Sequence, residues 1–148
     1  MLENLQQFIY QHFHFYSLEI MKVAKLDHFI ITVNNPEKTI DFYSRVLGME
    51  LQTFSDGRKA LIFGDQKINL HEAGKEFEPH AQNPLPGSAD LCFITRTPMQ
   101  QVISHLTTCN VPIIAGPIEK TGVNSPLLSI YIHDPDNNLI EIANEVKT

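Results

Sequence analysis

Four side chains of the types that ligate divalent cations or move protons stand in stretches patterned as strands: His28, His71, Asp90 and Glu141. Glu141 is the sharpest of them. It lies within Leu139-Ile140-Glu141-Ile142, where a carboxylate among apolar neighbours needs a cation, a proton or water beside it. Alone, it also reads as an edge-strand acid turned to solvent. His28 opens the run Asp27 to Val33, and the two-residue period of a strand puts it on one side with Ile30 and Thr32. Asn69 and His71 are polar positions at i and i+2 beside Ile68 and Leu70, so that strand has two very different faces. Asp90 shares a side with Cys92. Imidazole nitrogen and carboxylate oxygen suit Ni, Zn, Mn and Fe. Two His and one or two carboxylates brought from separate strands to one cavity would leave room for a substrate. Each residue singly has a plainer account. His28 fits a hydrogen-bonded structural residue, Asn69 a partner of nearby backbone, His71 a solvent-exposed strand end, and Asp90 a turn cap.

The elements that must position these residues occur twice. Asn35-Pro36 and Thr97-Pro98 each pair an N-cap residue type with a proline suited to the first helical turn. Ile40, Tyr43 and Leu47 then line one face of a first helix, and Val102, Leu106 and Cys109 line one face of a second. Gly48 and Asn110 stand at the C-terminal ends, where left-handed caps are wanted. The two prolines lie 62 positions apart, and the same offset carries His28 onto Asp90. This internal duplication places His28 and Asp90 symmetrically about a common cavity and strengthens a joint metal reading.

The predicted layout is strand 26–33, helix 36–47, and strands 49–55, 59–63 and 67–72, followed by strand 89–95, helix 98–109, and strands 111–118, 127–133 and 139–143. Asp134-Pro135-Asp136-Asn137-Asn138 supplies the last turn. Residues 25–75 form a first module, 76–87 a connecting segment and 88–148 a second module. Ala73 to Gly87 is polar and holds Pro79, Pro84 and Pro86. A half-open sheet cannot bury both its edge and its concave face, so two modules, from one chain or two, must complement each other. The extension 1–24 carries Leu2, Leu5, Phe8, Ile9, Phe13 and Tyr16 at helical spacing, which predicts an extra helix packed on the exterior or on a partner subunit. It has no basic n-region and no small-residue cleavage site, which argues against a signal peptide; Met21 is an alternative start.

The 148 residues carry a net charge of −6, so no basic surface argues for nucleic acid or an anionic membrane, and 43% hydrophobic residues suffice for a real core. No apolar run approaches the ~18 residues of a membrane span. Cys92 and Cys109 read as reduced, packed thiols of a cytoplasmic protein.

Leu26 to Val33, Thr39 to Met49 and Ile130 to Glu141 together resemble the vicinal oxygen chelate superfamily of glyoxalases, extradiol dioxygenases, fosfomycin-resistance transferases and bleomycin-binding proteins. Arg58 to His71, Phe77-Glu78-Pro79 and Pro86 to Thr95 are similar to its glyoxalase-domain "virulence protein" subfamily. The resemblance covers about residues 25–145. It implies an α+β fold of two βαβββ modules forming a U-shaped, eight-stranded mixed barrel around a divalent metal, with ligands on the first, fourth, fifth and eighth strands. His28 and Glu141 match the first and last of these. The fifth-strand ligand is usually His, where this chain has Asp90. Glyoxalases place Glu on the fourth strand, where this chain has Asn69 with His71 two residues beyond. The resemblance also implies substrate contacts at Ser129 and Tyr131, to which Asn69 is added as a substrate-binding candidate, and pairing as a homodimer, in which a shared site would take His28 and His71 from one chain and Asp90 and Glu141 from the other.

The leading expectation is a metal-dependent, glyoxalase-like lyase or isomerase acting on a small oxygenated or thiol-conjugated substrate, with Glu141 both ligand and proton carrier. An extradiol-type dioxygenase and a metal-free, bleomycin-type binding protein are the alternatives. The missing fifth-strand His counts against the dioxygenase and the fosfomycin transferase, and less against the lyase or isomerase.

Overall fold

The computed structural model describes residues 20–146. Eight strands and two helices follow in the order β1 (His28–Val33), α1 (Pro36–Arg45), β2 (Glu50–Thr53), β3 (Lys59–Phe63), β4 (Gln66–Glu72), β5 (Asp90–Ile94), α2 (Met99–Thr108), β6 (Ala115–Thr121), β7 (Pro126–His133) and β8 (Leu139–Glu145). The strands make two four-stranded mixed sheets, β1-β4-β3-β2 and β5-β8-β7-β6. In each, the strand before the helix runs parallel to the last strand of its unit and the other pairings are antiparallel. The duplication expected from the prolines is thus a duplication of topology. The eight-stranded barrel is not: among the described residues the two sheets remain separate, because no hydrogen-bonded ladder joins the edges of one to the edges of the other. The expected N-terminal helix falls mainly on residues 1–19, outside the described residues, and residues 20–27 are neither helix nor strand.

Helix α1 begins as its sequence requires. Asn35 Oδ1 accepts from Lys38 N–H at 3.0 Å, satisfying one of the free amides of the first turn. Helix α2 corrects the expectation for Thr97. Pro98 occupies the cap position with no side-chain bond, and the Thr97 amide instead donates to Thr95 Oγ1. Asn110 holds φ +56° after α2, and Val111 N–H returns to Leu106 O. That cap, with Pro112 offering no N–H donor, delays β6 to Ala115, four residues beyond the predicted start. A bulge between Ala115 and Ile118 then interrupts its pairing with β7.

The helix-facing side of both sheets is one continuous core. Val33, Leu61 and Ile68 from the first sheet join Tyr43 of α1, Leu106 of α2, and Ile130, Ile132 and Ile140 of the second sheet. Each such side chain contributes roughly 1.5–3 kcal/mol on burial, so the two halves stabilise one another. Two free cysteines, Cys92 and Cys109, are present, and among the described residues no helix is long and apolar enough to cross a membrane.

Candidate functional site

Alternation within each strand turns a second face away from the helices, and this open face carries every predicted site residue. On the first sheet, β1 and β4 align Ile30 with Asn69 and Thr32 with His71, with His28 beside Lys67 one row earlier. On the second, β5 and β8 align Cys92 with Glu141, with Asp90 one row earlier, and β7 sets Tyr131 opposite Glu141 and Ser129 opposite Ala143. His28 with Asn69 and Asp90 with Glu141 are therefore equivalent diagonal pairs, one on each sheet.

Five buried side-chain nitrogen or oxygen atoms among the described residues have no hydrogen-bond partner: Asn69 Oδ1, His71 Nδ1, Ser125 Oγ, Ser129 Oγ and Glu141 Oε1. Four of the five belong to predicted site residues. Buried polar groups are nearly always paired, so such a concentration marks a surface awaiting a ligand or another chain. The same face exposes apolar side chains, Ile30 on the first sheet and Ile94 and Ile118 on the second.

Glu141 lines a cleft of about 640 Å³ together with Cys92, Ile94, Lys120 and Leu127. Burial and the neighbouring Glu141 push the Cys92 thiol up to about 11 and raise the Tyr131 hydroxyl above its ordinary value, so both keep their protons at neutral pH. At His28, Nδ1 stands 2.7 Å from Asp27 Oδ1, leaving Nε2 available. The His28 interaction holds the Asp27 carboxyl below the usual carboxylate range. A carboxylate bound to one ring nitrogen is the arrangement that orients a metal-ligating imidazole. Asp27 is a candidate site residue that sequence reasoning passed over, although its place next to His28 was the available signal.

His71 is not the solvent-exposed strand end considered above. It is buried beneath residues 73–87, where its ring meets Phe77 edge-on at 5.6 Å. Burial holds its pKa below the ordinary value, against the pull of Glu76. Among the described residues, no three His, Cys, Asp or Glu side chains of one chain converge to hold a metal ion. His28 and Asn69 lie on one sheet and Asp90 and Glu141 on the other, so a single chain presents two half-sets of donors.

Comparison with known proteins places this geometry. The family model for the Glyoxalase/Bleomycin resistance protein/Dioxygenase superfamily matches residues 25–142. Virulence protein STM3117 of Salmonella typhimurium is 52% identical over 126 residues, spanning 85% of this chain and 88% of that protein. Its crystal structure superposes with a TM-score of 0.83 over 85% of this chain and 100% of that one. Glyoxalase domain-containing protein RDO1 of Mycosarcoma maydis is 52% identical over 123 residues, 83% of this chain and 69% of that protein. At 20% identity the fold is shared with lactoylglutathione lyase from Agrobacterium tumefaciens, with a TM-score of 0.63 over 84% of this chain and 96% of that one. It is also shared with the fosfomycin resistance protein FosX from Listeria monocytogenes, complexed with Mn(II) and sulfate, with a TM-score of 0.60 over 84% and 93%.

Proposed function

The chain belongs to the glyoxalase/bleomycin resistance protein/dioxygenase superfamily, and on that premise we propose that it is a metal-dependent, glyoxalase-type lyase or isomerase acting on a small oxygenated substrate. The observation that carries this reading is the set of unpartnered polar atoms on the open faces, Glu141 Oε1 and Asn69 Oδ1 above all. Donors of this chemistry fit a divalent ion once two chains bring their half-sets together. His28 and Asn69 would come from one chain, with Asp90 and Glu141 from its partner. The exposed Ile30, Ile94 and Ile118 support such pairing, since a second copy would cover them. FosX, complexed with Mn(II), and the lactoylglutathione lyase lend the metal and the reaction class their plausibility. Reduced Cys92 and Cys109 support a cytoplasmic setting.

A divalent ion (Ni, Zn, Mn or Fe) held by His28, Asn69, Asp90 and Glu141 would supply Lewis-acid polarisation of the substrate. The chain's own groups do the rest. Asp27 holds the His28 ring through Nδ1 and leaves Nε2 to serve as the ligand. Glu141, on a largely apolar strand, accepts a proton from a substrate carbon and returns it to the adjacent one. Tyr131 keeps its hydroxyl proton and donates a hydrogen bond to a substrate oxygen, and Ser129 Oγ stands in the next row of the same face. Asn69 offers a neutral oxygen where a second carboxylate would add charge.

Metal analysis of the purified protein tests the proposal. The expected result is one divalent ion per shared site, lost in both His28→Ala and Glu141→Ala. Protein that takes up no Ni, Zn, Mn or Fe on reconstitution would overturn the enzyme reading in favour of a metal-free binding protein.

A further inference from the structure

Residues 73–89 run as a strap from the first sheet to the second and close a cavity of about 290 Å³ against the end of β1 and β4. Its walls include Ile30, Thr32 and His71 from the sheet and His80, Pro84 and Leu85 from the strap. His71 is only 6% exposed, and its Nδ1 is buried without a partner. Three other polar side chains around the cavity are already engaged. Ser88 Oγ donates to Leu85 O at 2.7 Å, Asn138 Oδ1 accepts from Ala89 N–H at 2.8 Å, and a His80 ring nitrogen stands 2.8 Å from Ala81 O. Among the described residues that line the cavity, His71 Nδ1 is the one buried side-chain nitrogen or oxygen without a partner, which makes the imidazole the natural contact for a polar ligand atom.

Charge narrows what that ligand can be. The titratable groups near His71 are Glu76, His80 and Arg58. His80 faces Glu78 at 3.3 Å, Arg58 faces Asp56 at 2.7 Å, and Glu76 Oε1 accepts from Gly74 N–H. Each nearby cation already has its carboxylate, and Glu76 adds a negative charge beside the cavity. An anion entering would shed its hydration and meet no free cation, whereas an uncharged hydroxyl or carbonyl loses far less. The volume stands at the lower end of the ~300–1,000 Å³ usual for ligand pockets, which favours a compact group over a peptidic thiol conjugate.

We propose that the cavity beneath the strap is a subsite for the uncharged, oxygen-bearing end of the substrate, hydrogen-bonded by His71. The subsite shares the open face with Asn69 and opens one row beyond it, so the proposed metal reading supplies the reacting end of the same molecule while the subsite selects the other. The substrate class narrows accordingly to small, uncharged, vicinally oxygenated compounds.

Ring ¹⁵N–¹H spectra of His71 test this directly in the full chain, with hydroxyacetone as the uncharged probe and lactate as an anion of similar size. Hydroxyacetone is expected to shift the His71 signals saturably, with lactate binding about tenfold or more weakly. Leu85→Trp, which fills the cavity from an exposed strap position, is expected to abolish the response while leaving the imidazole in place. His71 signals that ignore hydroxyacetone, or that respond as strongly to lactate, would overturn the proposal, as would a response surviving in Leu85→Trp. Recording the spectra with and without Zn(II) separates the two readings. A His71 response in protein that binds no metal upholds the subsite and overturns only the chelate reading, whereas metal binding with a silent His71 overturns only the subsite.

Discussion

Tyr43 Oη donates a 2.9 Å hydrogen bond to Asp134 Oδ2, tying helix α1 of the first unit to the final turn of the second across 91 residues. The same carboxylate accepts from the Asp136 and Asn138 amides and from Asn138 Nδ2. Asn138 in turn holds the Ala89 amide at the entry to β5. The motif Asp134-Pro135-Asp136-Asn137-Asn138 is therefore a buried polar knot between the halves as well as a turn. Burial and Asp134 push the Tyr43 hydroxyl far above its ordinary value, so it remains a donor at any working pH.

Removing that donor is expected to loosen the join without disturbing the strands. Tyr43→Phe should cost about 1–3 kcal/mol, the range for a buried bond to a charged group, and Asp134→Ala should cost more because four donors lose their acceptor. Urea unfolding curves check both. Equal stability of Tyr43→Phe and the parent chain would show that the bond contributes nothing net.

Asp27→Asn should weaken divalent-metal affinity by roughly 10–100-fold while leaving the melting temperature nearly unchanged, since Asp27 is exposed and touches the site through His28. Calorimetric titration with Zn(II) measures it. Unaltered affinity would remove Asp27 from the site.

Mixing two inactive variants tests whether sites are shared. If His28 and Asn69 come from one chain and Asp90 and Glu141 from another, combining His28→Ala with Glu141→Ala protein restores some intact sites. Metal binding recovered in the mixture, absent from either variant alone, is the expected outcome. No recovery after subunit exchange would mean that each chain holds its own site.

His71 should imprint a pH dependence on stability. Its folded pKa lies below the ordinary 6.5 because burial disfavours the charged ring. The unfolded chain therefore binds the proton first as pH falls, so stability declines from about 6.5 down to the folded pKa and levels off below it. Above 6.5 this contribution is fully present. His71→Gln should flatten that part of a melting-temperature profile, and an unchanged slope would assign it to other groups.

Gly87 adopts φ +75°, and a Cβ there would sit 2.6 Å from Asp136 O. Gly87→Ala is expected to cost roughly 1–3 kcal/mol from backbone strain and this contact combined. Thermal unfolding would reveal it, and a neutral result would mean that the strap moves aside freely.

Strand and helix positions, the duplication and the polarity of the open faces were legible in the sequence because each is a local or periodic property. Two-residue alternation grouped His28 with Ile30 and Thr32, Asn69 with His71, and Asp90 with Cys92 on single sides of their strands, and the paired prolines located both helices near their true starts. Thr97 and the start of β6 were misread because a cap and a bulge depend on where neighbouring carbonyls fall in space. Tertiary structure alone decided that His71 lies buried beneath the strap, that Tyr43 meets Asp134, and that the two donor pairs of one chain stay on separate sheets. Periodicity specifies which side of an element a residue occupies. Which element then covers that side depends on contacts between distant segments, and no local spacing encodes those.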